Sequence, residues 1–529
     1  MFVKHPETPR LSCSRLLSAL LLTRLLSAQI EHRSPLLSSR LCPTSSSSRL
    51  FPTSRQQLKL SVLMLPWLAH GHANRYLELA KRLTRQLSNL SVHFCSTPVI
   101  LNSLRNDDAL QHSTRISLVE FRLTVTVTEQ AQVLPSHWHT TKHLPPHLLP
   151  TLIRAFAESE QTLVHLLDTL KPDLIIFDIF QPWAAKLARQ RNITTAVYIG
   201  CTVAMSLSTH DYFEPCKEFP FSAIKLTQDN RRQRSSPAED QQGYRHFLEQ
   251  IALCWQLSDF VIARSFCEIE LKYINYFSTL IGKEVVLTGP LIPDVRISTS
   301  PAISQEAEKV MHWLEQRERR SVVYVSFGSE CFMPYKEMEQ LAHGLELSGT
   351  SFIWVARFPE KAKMGAEEEE EASAARALLH GLADRVGPQK GLVVTSWAPQ
   401  RQILVHGNLG CFLTHCGWSS VIEGMEAGVP MLALPMDWDQ PANAKLIVEL
   451  GIGIEIPQHG LGNFKAEDVA ACVKQILQSE HGVGQKVRRN AEDLAGVIRN
   501  RHGDDIRILA DKIVAVVEGP KSDRAIINI

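Results

Sequence analysis

Short, wholly apolar runs recur along this chain. Each stops at a turn, helical patterns alternate with them, and they come in two successive sets. The first set is Ser61–Leu65, Val92–Cys95, Leu174–Phe177, Thr195–Ile199, Phe260–Ala263 and Val285–Leu287. The second is Val322–Phe327, Phe352–Val355, Leu392–Thr395, Cys411–Thr414 and Met431–Leu434. A strand that is apolar on both faces has to be covered on both, as in a parallel sheet flanked by helices. The stretch Asn74–Leu87 supplies such a cover, with Tyr76, Leu77, Ala80 and Leu83 on one side. The pattern predicts an α/β chain of two doubly wound parallel sheets facing each other across a cleft. The length, 529 residues, also exceeds what one core supports.

Gly289-Pro290-Leu291-Ile292-Pro293, followed by the Ser/Thr/Pro-rich Ser298–Ser304, reads as the linker between the halves. Expected boundaries are an extension over 1–58, a first domain over 59–295, a second over 296–505, and a terminal helix and tail over 506–529 that packs back on the first domain. The extension is rich in Ser, Leu and Arg, with only Glu7 and Glu31 acidic. A plastid transit peptide, a gene-model artefact and a disordered tail all fit that composition. Three further stretches read as loops: Arg231–Gln242, the acidic run Glu367–Glu371, and His137–His147.

A net charge of +1 with 21% charged residues gives no sign of a nucleic-acid or membrane-surface partner. No apolar stretch reaches the roughly 20 residues of a membrane span. Eleven cysteines without a CxxC pair suggest reduced thiols and a cytoplasmic location. Metal is not expected: His137, His139, His143 and His147 have no carboxylate among them, and Pro145-Pro146 interrupts any helix that would align them.

Chemistry concentrates at the ends of the apolar runs. Cys411–Thr414 stops at His415-Cys416-Gly417-Trp418-Ser419-Ser420 and leads into a helical stretch over Val421–Ala427. A strand, a turn and a helix N-terminus present backbone N–H groups and a positive dipole end to an anion. His415 and Ser420 can add donors for a diphosphate, Glu423 can accept from sugar hydroxyls, and Trp397 offers a flat face to a nucleobase. In the first half, Ser61–Leu65 runs into His70-Gly71-His72, and Asp178 follows Leu174–Phe177. A base near neutral pH steadied by a carboxylate is thereby available at the carboxyl edge of a sheet, with His70 and His72 as the two imidazoles.

Residues 397–440, WAPQRQILVHGNLGCFLTHCGWSSVIEGMEAGVPMLALPMDWDQ, resemble the signature box of plant family-1 UDP-sugar-dependent glycosyltransferases. The resemblance implies two Rossmann-like domains in the GT-B architecture. It implies donor-binding roles for Trp397 and Gln400 at uracil with Ala398 beside them, for His415 and Ser420 at the diphosphate, and for Glu423 at ribose. It implies sugar contacts for Trp418, Asp439 and Gln440, and a phosphate contact for Ser329 in SVVYVSFGS. Ser419 stands where the family usually has Asn, which removes an amide donor. Gly71-His72 resembles the catalytic Gly-His, so the resemblance selects His72 as base with Asp178 as its partner.

The stretches LPWLAHGHANRYLELAKRL, VHFCSTP and HTTKHLPPHL, together with HCGWSS from the box, resemble the branch-forming members, which extend a sugar already attached to a small aglycone. The resemblance implies UDP-sugar as co-substrate without a metal, a flavonoid or terpenoid glycoside as acceptor, an acceptor-pocket loop at His137–His147, and a monomer. Gln440 favours glucose by the same analogy. Arg75 stands where relatives commonly carry Pro. A guanidinium there would suit the carboxylate of a glucuronic acid donor, the alternative being a solvated helix-surface Arg. Direct action on an aglycone, and a non-catalytic nucleotide-sugar-binding protein, are the rival functions.

Overall fold

The computed structural model describes residues 59–105, 107–123, 134–142, 144–226, 241–292, 301–328, 331–358, 366–460, 462–478, 482–501 and 503–519. The extension 1–58 and Ser329 lie outside them. Two parallel sheets form the molecule, of seven and six strands. The first holds β1 (Leu60–Leu65), β2 (Leu90–Ser96), β3 (Ile116–Glu120), β4 (Leu174–Asp178), β5 (Thr194–Ile199), β6 (Phe260–Ala263) and β7 (Val285–Leu287). The second holds β8 (Val322–Ser326), β9 (Ser351–Val355), β10 (Gly391–Val394), β11 (Leu409–Thr414), β12 (Met431–Ala433) and β13 (Gly453–Glu455).

The spatial orders are β3-β2-β1-β4-β5-β6-β7 and β10-β9-β8-β11-β12-β13. Each sheet therefore reverses direction once, between β1 and β4 and between β8 and β11. Leu65 of β1 lies level with Phe177 of β4, and Ser326 of β8 with Thr414 of β11. A crevice opens at the carboxyl ends of such a strand pair, because the connections leave on opposite faces.

The helices that matter for the site are α1 (His70–Gln86), α2 (Gln241–Leu257), α3 (Cys267–Ile281), α4 (Trp418–Ala427), α5 (Gln440–Glu449) and α6 (Asp504–Glu518). The last of these buries Ile506, Leu509, Ala510 and Ile513 and packs on β7 and α1, both of the first lobe.

Several expectations are corrected. β3 and β13 were not anticipated: β3 lies at the sheet edge with only Ile116 fully buried, and β13 has three residues, so neither shows a continuous apolar run. Glu367–Glu371 is not a loop but falls within the helix Ala366–Val386, consistent with the high helix propensity of Ala and Glu. Residues 301–304 of the expected linker open the helix Pro301–Glu315, with Pro at the first position where its missing N–H is harmless. Gln241 and Gln242 begin α2 instead of closing a loop; residues 227–240 lie outside the described residues. Helix α4 begins at Trp418, three residues before the expected Val421.

Candidate active site

The crevice of the first sheet carries the imidazole–carboxylate pair. His72 Nδ1 lies 2.7 Å from Asp178 Oδ2, with 32% of the His72 side chain and 2% of the Asp178 side chain exposed. Asp178 ends β4, and its oxygens also accept the N–H groups of Trp67 at 3.3 Å and Ile179 at 2.9 Å. These donors hold the carboxylate still. Engaging Nδ1 fixes the ring's tautomer and turns Nε2 away from the carboxylate as the basic nitrogen. The competing imidazole, His70, meets the Thr140 hydroxyl at 3.2 Å. An aromatic wall adjoins His72: Phe180 lies 6.0 Å from it and 5.4 Å from Trp67, and stacks on Phe247 of α2. Phe247 in turn meets the edge of Trp438 from the second lobe.

The crevice of the second sheet gathers the box residues. His415 follows β11 and is buried, and its ring lies against two glycines. A Cβ on Gly417 would come within 2.5 Å of His415 Nε2, and one on Gly328 within 3.0 Å of Cε1. Burial pushes the His415 pKa down to about 4, only partly opposed by the Ser326 carbonyl, so the ring is neutral at pH 7. Its Nδ1 has no hydrogen-bond partner among the described residues. Cys416 (φ 68°) and Trp438 (φ 53°) adopt left-handed backbone, a strained state for non-glycine residues that tends to mark functional turns.

Trp397 is 40% exposed beside the buried Ala398, so its ring face is open to stacking. Gln400 Nε2 donates to Glu423 Oε2 at 2.9 Å and approaches Ser420 Oγ at 3.4 Å, while its Oε1 accepts from Tyr324. Gln440 Oε1 accepts the N–H groups of Met436 and Asp437, both at 2.9 Å. That leaves its amide nitrogen without a hydrogen-bond partner among the described residues. Asp439 Oδ2 accepts from Asn443 Nδ2, which also donates to the Cys416 carbonyl, each at 2.8 Å. Burial raises the Asp439 pKa, and the charge of His72 lowers it. His72 and Asp439 therefore sense each other across the cleft.

Two box residues hydrogen-bond directly to the first lobe. The Trp418 indole N–H donates to the Arg264 carbonyl at 2.8 Å. Ser419 Oγ accepts from Arg75 Nε at 2.8 Å and from Arg264 Nη1 at 3.1 Å. Arg75 is thus neither a solvated surface residue nor bare: it bridges the lobes. Its pKa is lowered by burial and raised by Glu423.

Arg264, Asn443 and Tyr324 were not singled out from the sequence. Arg264 obeys the rule that found Asp178, since it directly follows the apolar run of β6. No comparable signal marks Asn443 inside α5. Among the described residues no group of three or more His, Cys, Asp or Glu could hold a metal ion, and no helix is long and apolar enough to cross a membrane. The nine cysteines among the described residues are free thiols.

Comparison with known proteins identifies the family. Residues 58–293 match the family model described as glycosyltransferase, N-terminal domain, and residues 277–488 match that of UDP-glucoronosyl and UDP-glucosyl transferase. A flavanone 7-O-glucoside 2''-O-beta-L-rhamnosyltransferase of Citrus maxima is 37% identical over 88% of this chain and 99% of its own. A cyanidin-3-O-glucoside 2-O-glucuronosyltransferase of Bellis perennis is 35% identical over 86% and 97%. Among solved structures, a Glycyrrhiza uralensis enzyme complexed with glycyrrhetinic acid 3-O-monoglucuronide superposes with a TM-score of 0.70 at 23% identity, covering 86% of this chain and 96% of that one. This last likeness shows the two-lobed GT-B fold. The chain is a UDP-glycosyltransferase and belongs to the plant family of UDP-sugar-dependent glycosyltransferases.

Proposed function

We propose that this enzyme is an inverting O-glycosyltransferase that moves a sugar, glucose in the first instance, from UDP onto a sugar hydroxyl of a flavonoid or terpenoid glycoside. The observation that carries the reading is the His72–Asp178 pair at the switch point of one sheet, opposite the His415–Ser420 turn at the switch point of the other. In this reading residues 59–295 hold the acceptor and residues 296–505 the donor. His72 Nε2 takes the proton of the acceptor hydroxyl, and the oxygen attacks the anomeric carbon as its bond to the β-phosphate breaks. UDP departs toward Ser329, His415, Ser420 and the first-turn N–H groups of α4, which have no partner within the helix. Single displacement turns an α-linked donor into a β-glycoside. Asp178 stabilises the imidazolium that forms.

Trp397, Ala398 and Gln400 hold uracil, Glu423 the ribose, and Trp418, Asp439 and Gln440 the sugar. The relatives named above transfer different sugars onto glycosides, which supports a glycosylated acceptor and leaves the donor to be assayed. The Gln440 amide suits glucose hydroxyls. Arg75, beside this site, is the candidate for reading a glucuronic acid carboxylate.

The test incubates the protein with UDP-glucose and with UDP-glucuronic acid against paired acceptors, quercetin and quercetin 3-O-glucoside among them. Transfer to the glucoside with UDP-glucose is expected, and His72→Ala should lower kcat roughly 100- to 10,000-fold. Transfer to the bare aglycone alone would replace the acceptor assignment. Full activity of His72→Ala would remove the base. An unchanged donor preference in Arg75→Ala would take Arg75 out of donor selection.

A further inference from the structure

Ser419 places a hydroxyl where the wider family usually has an amide, and the structure brings two cations from the opposite lobe onto it. A serine hydroxyl has two lone pairs and one proton. Arg75 Nε and Arg264 Nη1 both donate to Ser419 Oγ, and a guanidinium has no acceptor to offer in return. Both lone pairs are therefore occupied, and the proton has to point elsewhere. Among the described residues no acceptor receives it.

The surroundings call for an anion. Arg264 is fully buried. Its Nε donates to the Pro290 carbonyl at 3.0 Å, and its Nη2 has no hydrogen-bond partner. Neither Arg75 nor Arg264 has an ion-pair partner among the described residues. Of the two carboxylates that they sense, Glu78 is paired with Arg82, and Glu423 accepts from the Gln400 amide; neither makes an ion pair with Arg75 or Arg264. Two guanidiniums converging on one neutral oxygen, one of them deeply buried, are costly without a countercharge nearby. Ser419 also lies in the first turn of α4, whose N-terminus favours negative charge.

We infer that Arg75 and Arg264 are positioning residues that act through Ser419, occupying both of its lone pairs so that its proton is committed to a diphosphate oxygen of the nucleotide sugar. This rests on the donor assignment proposed above. Arg75 and the shortened residue 419 then form one functional unit, in which the guanidinium restores as orientation what the missing amide took away as reach. A donor polarised by two cations and fixed before the substrate arrives is the preorganised kind that favours a leaving diphosphate.

The experiment measures UDP and uridine binding by calorimetry to the full chain and to Ser419→Ala, Ser419→Thr, Arg75→Gln and the double variant Arg75→Gln/Ser419→Ala. Ser419→Ala should weaken UDP roughly 10-fold and leave uridine unchanged, and Ser419→Thr, which keeps the hydroxyl, should recover most of that loss. Arg75→Gln should weaken UDP severalfold alone and add nothing on the Ser419→Ala background. Additive losses in the double variant, or a parallel loss of uridine affinity, would mean that the arginines only hold the lobes together, and would overturn the inference. So would an unaffected Ser419→Ala in a protein that binds UDP. Wild-type protein that fails to bind UDP at all would instead bring down the donor assignment itself. Should Arg75→Gln fail to fold, the Ala and Thr variants at 419 still decide whether the hydroxyl donates.

Discussion

At the scale of single residues, the site works by withholding alternatives. His415 lies against Gly328 and Gly417, and a side chain at either glycine would collide with its ring. Burial then keeps the ring neutral, so it can serve a diphosphate as a hydrogen-bonding group without the cost of a buried charge. A histidine whose folded pKa is depressed stabilises the fold above its unfolded value and loses that contribution as the pH falls. Here the window runs from the ordinary 6.5 down to about 4. The difference in unfolding free energy between wild type and His415→Gln should therefore be flat above pH 6.5. Between pH 6.5 and 4 it should move against the wild type by up to about 3 kcal/mol. Denaturant melts across that range check it, and a pH-independent difference would mean that His415 is open to solvent.

At the scale of elements, two turns line the crevice of the second sheet, and one side chain couples them. The turn after β11 and the turn before α5 each contain a strained residue, Cys416 and Trp438. Asn443, fully buried in α5, donates to the Cys416 carbonyl and to Asp439 at once. Asn443→Ala would leave a carbonyl and a carboxylate without those bonds, at a cost of about 1–3 kcal/mol of stability. If the donor binds as proposed, the freed groups lie in its site, and KM for UDP-glucose should rise more than kcat falls. A variant that loses stability with unchanged KM would make Asn443 a packing residue only. The missed strands β3 and β13 teach the complementary lesson. An edge or three-residue strand is recognised by its neighbours in the sheet and not by its own pattern.

At the scale of the molecule, the two lobes are tied together by side chains and by the chain itself. Trp418 donates to the Arg264 carbonyl, Arg75 and Arg264 meet Ser419, and Lys272 and Tyr273 of α3 meet Glu449 of α5. Helix α6, which follows the second sheet in sequence, lies on the first: Lys512 pairs with Glu284 at 2.6 Å, and Arg501, just before the helix, pairs with Glu268 and Asp505. Truncation after Gly503 would uncover the surface against which Ile506, Leu509 and Ile513 pack. At roughly 1.5–3 kcal/mol per large side chain, the first lobe should melt several degrees earlier than the second in calorimetry. A single unshifted transition would mean that α6 is dispensable.

The sequence alone determined the architecture and the chemistry of the two strand ends. Buried parallel strands write themselves as unbroken apolar runs, and the polar residue that stops such a run stands at the carboxyl edge where ligands collect, as His415 and Asp178 do. It also made His72 one of two candidate bases, and the resemblance chose between them. Only the tertiary structure could show that Arg75, Arg264 and Ser419 meet, because the partners lie 344 and 155 residues apart and no periodicity connects one lobe to the other. Contacts across a cleft depend on how two finished domains are set against each other, a property of packing that no local stretch of chain encodes.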